Sequence, residues 1–345
     1  MARYGADQNK VLGLYESGLY AEATAETFWL GEVIDHSVDD AEGLIESRYM
    51  GTTSRSFSDF DQGPRDVTGT LSYHPVDMRL PFLALGSVVD VSGTNISSHI
   101  VTEFDSDKCQ NFFVSGAGTD MTVPACFTIE DSKQAPGTGR NFIRTIAGNV
   151  IDTMKISASE GEKVTVDIDY IGQTCTPSSG ASSSITDPDI APYMWSDCML
   201  TLAGSSMDTA KSFSLETNNN MQVNHYIGSS ALGRFYGRVI APPVVGNRNH
   251  TLSVTMDLPS DDAIWLYENK YKGNNSFNAT LDMDADVTAT GSKHATFNMS
   301  GCQIVSMDNP SVLEGLNETT LEIRPQNIDG AAYDSSFKYN AWIPA

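Results

Sequence analysis

The 345-residue chain is poor in the groups that chemistry usually needs. Its five cysteines, Cys109, Cys126, Cys175, Cys198 and Cys302, form no C-x-x-C pair and have no histidine at metal-ligand spacing, which argues against a structural zinc site. The histidines at 36, 74, 99, 225, 250 and 294 are isolated, with no H-E-x-x-H spacing among them. Gly-rich "GAGTDM" and "APGTGR" lack the strand, lysine and helix context of a phosphate loop and read as turns. No run approaches the roughly 18 apolar residues of a membrane span, and residues 1–30 hold no apolar core of signal-peptide type. A soluble product made in the cytoplasm, without membrane insertion, is expected.

Basic residues are scarce too: 21 Lys and Arg stand against 44 Asp and Glu, a net charge of -23 with a pI near 4.4. Such a surface repels nucleic-acid phosphate. Apolar and aromatic residues recur along the whole chain, which excludes acidic disorder. The expectation is an ordered, strongly hydrated surface that stays soluble at very high salt, as in a halophilic source.

What is present is alternation. "DVTGTLSYH" (66–74), "EKVTVDIDYIG" (162–172), "KSFSLET" (211–217), "HTLSVTMDL" (250–258) and "NATLDMDADVTAT" (278–290) alternate apolar with polar residues. Period two means sheets with one covered and one wet face, and a mainly antiparallel β chain. Two segments depart from it. "PVDMRLPFLALG" (75–86) and "PSDDAIWLYENKY" (259–271) begin with Pro and carry helical spacing, with Pro81 shortening or kinking the first. The Ser-, Pro- and Gly-rich stretch 173–192 reads as a linker.

"RYMGTTSR" (48–55) and "HYIGSSAL" (225–232) share a basic residue, Tyr, an apolar residue, Gly and two hydroxyl residues. Around each, the same elements follow in the same order, ending in the pairs Glu160-Gly161 and Glu314-Gly315. That order predicts a duplication. Its parts are an N-terminal arm (1–24), a first β domain (25–172) with an insertion near 87–125, the linker (173–192), a second β domain (193–325) and a C-terminal tail (326–345). Each domain is expected to be a β-sandwich or barrel with one short flanking helix.

No nucleophile, base and orienter can be nominated, so no catalytic residue, cofactor or metal is assigned and an enzyme is not expected. Asp282, Asp284 and Asp286 share a strand face, as do Asp167 and Asp169. Residues two apart on a straight strand sit about 6.6 Å apart, too far for three carboxylates to share one cation. Cys109 with Cys126, and Cys175 with Cys198, could each close a loop in an oxidising medium. Tyr333, Phe337, Tyr339 and Trp342 lie in an otherwise polar tail and are expected to dock on a neighbour. The pattern is that of an assembly protein. The alternative is a β-sandwich binding module for receptors or glycans.

"DVTGTLSYHPVDMRLPFLALGS" and "DTMKISASEGEKVTVDIDYIGQ", with the Tyr-x-Gly loops, resemble the major tail tube proteins of long-tailed viruses, over about residues 25–325. The resemblance implies a β-sandwich whose sheets join edge to edge into rings, stacked as the conduit for genomic DNA ejection. A duplicated subunit implies homotrimeric, pseudo-hexameric rings in a virion tail, in a halophilic archaeal virus if the acidity reflects the host. The implied partners are further copies of the chain, tape measure, tail terminator and baseplate or distal tail proteins, and double-stranded DNA in transient, non-specific passage. The resemblance also implies that Asp167, Asp169, Asp282, Asp284 and Asp286 are candidates to line the lumen. It places inter-ring contacts in the loops bearing Tyr49, Gly51, Arg55, Phe57 and Phe60, and Tyr226, Gly228, Arg234, Phe235, Tyr236 and Arg238, since Arg and aromatic residues are enriched at interfaces.

Overall fold

Among the described residues alternation becomes structure as eighteen strands, every named pair antiparallel, with two short α-helices. The structure is a computed structural model and describes residues 9–16, 23–47, 59–90, 98–103, 126–134, 141–180, 183, 190–225, 246–258, 261–287, 291–308 and 317–334. The first half runs β1 (Asn9–Glu16), β2 (Ala23–Phe28), β3 (Gly31–Ser47), β4 (Asp59–Pro75), α1 (Arg79–Leu85), β5 (Gly86–Asp90), β6 (Ser98–Glu103), β7 (Phe127–Gln134), β8 (Asn141–Ser159), β9 (Thr165–Gly172) and β10 (Thr174–Ser178). The second runs β11 (Cys198–Leu202), β12 (Ser205–Ser206), β13 (Ala210–Asn218), β14 (Asn249–Leu258), α2 (Asp261–Leu266), β15 (Phe277–Val287), β16 (Gly291–Met307), β17 (Asn317–Arg324) and β18 (Asn327–Asp334).

A central sheet crosses both halves in the order β3-β4-β9-β8-β13-β14-β17-β16. Two side sheets accompany it: β2-β1-β7-β8-β10 in the first half and β12-β11-β15-β16-β18-β6-β5 around the second. Strands β8 and β16 each serve two sheets. They turn at Gly148 (φ 68) and Gly301 (φ 63), a left-handed conformation that costs a residue with a Cβ. The buried faces of all three sheets meet in one apolar core, to which Leu71, Ile168, Leu215, Val254 and Leu321 contribute from the central sheet and Ile129, Leu281 and Phe297 from the side sheets.

The two halves of the central sheet repeat in strand order and also in their irregularities. The bulge at Val33/Asp35 recurs at Ala210/Ser212, and that at Ile151/Thr153 recurs at Ile304/Ser306. In the side sheets Phe127/Ile129 matches Phe277/Ala279. A bulge is a specific local choice, and three coincidences fix which residues occupy equivalent places.

Three segments expected to lie outside the two domains carry strands. Residues 9–16, read as arm, form β1 against β7, where the buried carboxylate of Glu16 accepts from Thr128 Oγ1 (2.9 Å), Cys126 Sγ (2.9 Å) and the Gly148 amide (2.6 Å). Within the linker, Thr174–Ser178 pair with β8; backbone bonding needs no apolar side chain, so composition hid this strand. Within the tail, Asn327–Asp334 form β18 between β16 and β6 of the same chain. Helix α1 tolerates Pro81 because it falls in the first turn, where amides have no intrahelical acceptor.

Candidate assembly surfaces

The outer face of the central sheet is assembled from the polar phase of each alternating strand. One row across it reads Asp35, Ser72, Asp167, Lys155, Glu216 and Thr251. Another reads Ser37, Thr70, Asp169 and Thr153, with Ser37 and Thr70 hydroxyls 2.7 Å apart. Small hydroxyls and carboxylates dominate it, relieved by Lys155, by Lys211 between Asp257 and Glu318, and by Arg324 beside Glu322. Partial burial and the neighbouring carboxylates of Asp152 and Asp167 push the Asp169 carboxyl above its ordinary range. The five carboxylates singled out from sequence do not share this face. Asp282 and Asp284 lie on β15 in a side sheet, where Asp282 accepts from Thr296 Oγ1 (2.7 Å). The side chain of Asp286 lies outside the described residues.

Where the halves meet, β8 pairs with β13 from Thr153↔Asn218 to Ser159↔Ser212, placing Lys155 opposite Glu216. A buried polar lock flanks this seam. Glu103, brought by β6, accepts from Arg248 Nη1 (3.1 Å) and the Ile328 amide (2.5 Å) and lies 2.9 Å from His250 Nε2. Arg248 also donates to the carbonyl of Leu85 (3.0 Å) and to Asn219 Oδ1 (2.6 Å), while Asn219 donates to the carbonyls of Ala84 and Ile151. Burial raises the Glu103 pKa, but His250, Arg248 and the Ile328 amide outweigh it and hold the carboxyl below its ordinary range. These residues carried no signal in sequence, because lone charges at long separation have no spacing to read.

At the outer ends of the central sheet, β3 pairs only with β4 among the described residues, and the Gln303–Met307 end of β16 pairs only with β17. The β3–β4 hairpin carries exposed Leu44, Ile45 and Phe60 toward its tip. Of the expected inter-ring residues, Phe60 is thus at an exposed tip, beside two apolar residues that sequence reading missed. Tyr49, Gly51, Arg55, Phe57, Tyr226, Gly228, Arg234, Phe235, Tyr236 and Arg238 lie outside the described residues.

Tyr333 is exposed on β18; Phe337, Tyr339 and Trp342 are outside the described residues. Cys175 and Cys198 are free thiols, one on β10 against β8 and the other on β11 against β15. Cys126 and Cys302 are buried, and Cys109 is outside the described residues.

Among the described residues no His, Cys, Asp and Glu converge as a metal site, and no helix is long and apolar enough to cross a membrane. Among curated proteins none matches the chain. A family model described as "Phage tail tube protein" matches residues 9–332, and so takes in β1, most of β18 and the seam as well as the alternating strands. With a mainly antiparallel fold, a polar sheet face and open sheet ends, the chain belongs to the phage tail tube protein family and is a structural protein of the virion tail.

Proposed function

We propose that three copies of this chain close into a ring, that its two halves are copies of one tail-tube module, and that stacked rings form the conduit for ejected double-stranded DNA. The observation that carries this is the β8–β13 seam. Strands β16 and β3 are the counterparts of β8 and β13, left at opposite ends of the same sheet. Joining β16 of one copy to β3 of the next repeats a junction the chain already makes, and a repeated head-to-tail junction closes when its rotation divides a full turn. Closure also removes both sheet edges.

In such a ring the side sheets and core lie outward and the hydroxyl-and-carboxylate face lines the lumen, with Asp167 and Asp169 in it and Asp282 and Asp284 outside. That lining suits a sliding duplex, since lysines and arginines would hold phosphate by counterion release. The exposed Leu44, Ile45 and Phe60 of the β3–β4 hairpin are placed to reach the next ring, and tape measure, terminator and baseplate proteins would cap the stack. An acidic chain of this kind fits a halophilic archaeal host.

The two seams differ in charge. Asp308, whose amide bonds to the Thr320 carbonyl, is the counterpart of Lys155, and Asp39 is that of Glu216. An attractive pair inside the chain becomes two like charges between chains, which destabilise directly opposed strands. Assembly should therefore need salt or divalent cations that shorten the Debye length below about 10 Å. Electron microscopy and native mass spectrometry across a salt series test the reading. Rings of three chains are expected at high salt, and Asp39→Lys should form them at lower salt than the wild type. A monomer under every condition, or rings of another chain number, would overturn it.

A further inference from the structure

The helices of the two halves differ in what covers them. Pro75 ends β4 and Leu258 ends the equivalent β14; Phe82 and Trp265 each follow seven residues later. Phe82 is fully buried, its ring 4.8 Å from that of Phe297 and so close over Gly330 that an added Cβ there would lie 2.6 Å from it. Pro81 and every other residue of α1 are buried with it. Trp265 is 39% exposed and Ile264 45%. The first helix is covered by the second half of its own chain, whereas among the described residues α2 keeps Ile264 and Trp265 partly exposed.

The surface equivalent to the one that receives Phe82 can be read from the register. Phe297 stands four residues before Gly301 and opposite Gly330; Arg144 stands four before Gly148 and opposite Pro177. Where the second half offers an aromatic ring and a bare backbone, the first offers a guanidinium and a proline ring. Pro177 is exposed, and Phe142, two residues along the same strand face, is 45% exposed. Arg144 is held by the buried carboxylate of Asp131, with Nε 3.2 Å from Oδ2. A guanidinium tied in its own plane still offers its face, and an indole is the best partner for it.

We propose that Ile264 and Trp265 of one copy dock on Phe142, Arg144 and Pro177 of the next, as α1 docks within the chain. This rests on the ring reading and adds its chemistry: three of the junctions in a ring bury Phe82 on Phe297, and the three between chains bury Trp265 on Arg144. The donor and acceptor are different surfaces of one chain, so variants that break one leave the other intact.

Sedimentation velocity under salt that permits wild-type rings tests this with Trp265→Ala, Arg144→Glu and the conservative Trp265→Phe. The first two should raise the concentration needed for assembly about tenfold or more, as for an interface hot spot, and Trp265→Phe much less. Melting of the unassembled Trp265→Ala chain should fall only slightly, because within the chain the ring is partly exposed and has Lys270 Nζ 5.5 Å from its centroid as a cation–π partner. An equimolar mixture of Trp265→Ala and Arg144→Glu retains one sound pair of surfaces and should stop at dimers. Wild-type assembly by both variants would overturn the docking site while the ring reading stands. Failure of the wild type itself to assemble would overturn both. If Arg144→Glu unfolds, Pro177→Asp probes the same surface.

Discussion

Arg65 and Arg248 occupy equivalent places one residue before matched register positions on β4 and β14, yet they are used differently. Arg248 reaches across the seam to Leu85 and Glu103 of the other half. Arg65 turns back within its own half, making paired bonds to Asp40 (2.6 and 2.5 Å) and one to the carbonyl of Cys175 (2.7 Å). The same side chain in the same sheet thus reports whether a neighbour is present. Among the described residues only the first half carries the β5–β6 hairpin that delivers Glu103. A junction of the proposed kind between chains would lack that carboxylate, so its strength would have to come from elsewhere.

The comparison breaks most severely at Glu103. Replacing it with Ala strands Arg248, His250 and the Ile328 amide in a buried site, a loss on the order of 3–5 kcal/mol. The expected outcome is a large drop in the urea midpoint of the unassembled chain, and a change below about 1 kcal/mol would show that the seam is not held by this lock. The depressed Glu103 pKa adds a sign. Its contribution is complete above the ordinary glutamate range and is lost as pH falls through the depressed value.

Next in size is the buried charge that the first half has and the second lacks. Asp131 and Arg144 stand opposite each other where the second half pairs Leu281 with Phe297. Burial pushes the Asp131 carboxyl up, but His36 and Arg144 beside it win and hold it at about 2. Against an ordinary Asp pKa near 3.9, this is roughly 2–3 kcal/mol, fully present above about pH 4 and lost as pH falls toward 2. Asp131→Asn should flatten that limb of the stability–pH curve. An unchanged limb would assign acid sensitivity to other carboxylates.

Period-two alternation carried most of this fold to the surface of the sequence. Val166, Ile168 and Tyr170 go in while Asp167 and Asp169 go out, because side chains on a strand have no other choice. The strands that escaped notice, such as Thr174–Ser178, are held by backbone bonds along an edge and bury only Cys175. The candidate assembly surfaces were legible only in part. Phe60 stood out as an aromatic residue in a polar loop, whereas Leu44 and Ile45 resembled ordinary core residues until the hairpin was seen to run out into solvent. Asp282 and Asp284 looked like partners of Asp167 because strand phase says which residues share a face of one strand. It does not say which sheet that strand joins.

The smallest effect sharpens the comparison most. Arg65→Ala removes a partly exposed pair, so the unassembled chain should lose only about 0–1 kcal/mol after allowance for solvent screening. If Arg65 is the free-end counterpart of Arg248, its larger consequence lies at the junction. It stands where a preceding copy would place the end of its own α2, as Arg248 stands at the end of α1. Ring formation should then need a several-fold higher protein concentration in Arg65→Ala, with thermal melting barely moved. Equal losses in melting and assembly would mean that Arg65 serves only its own half, and the likeness between the two arginines would end at their place in the sheet.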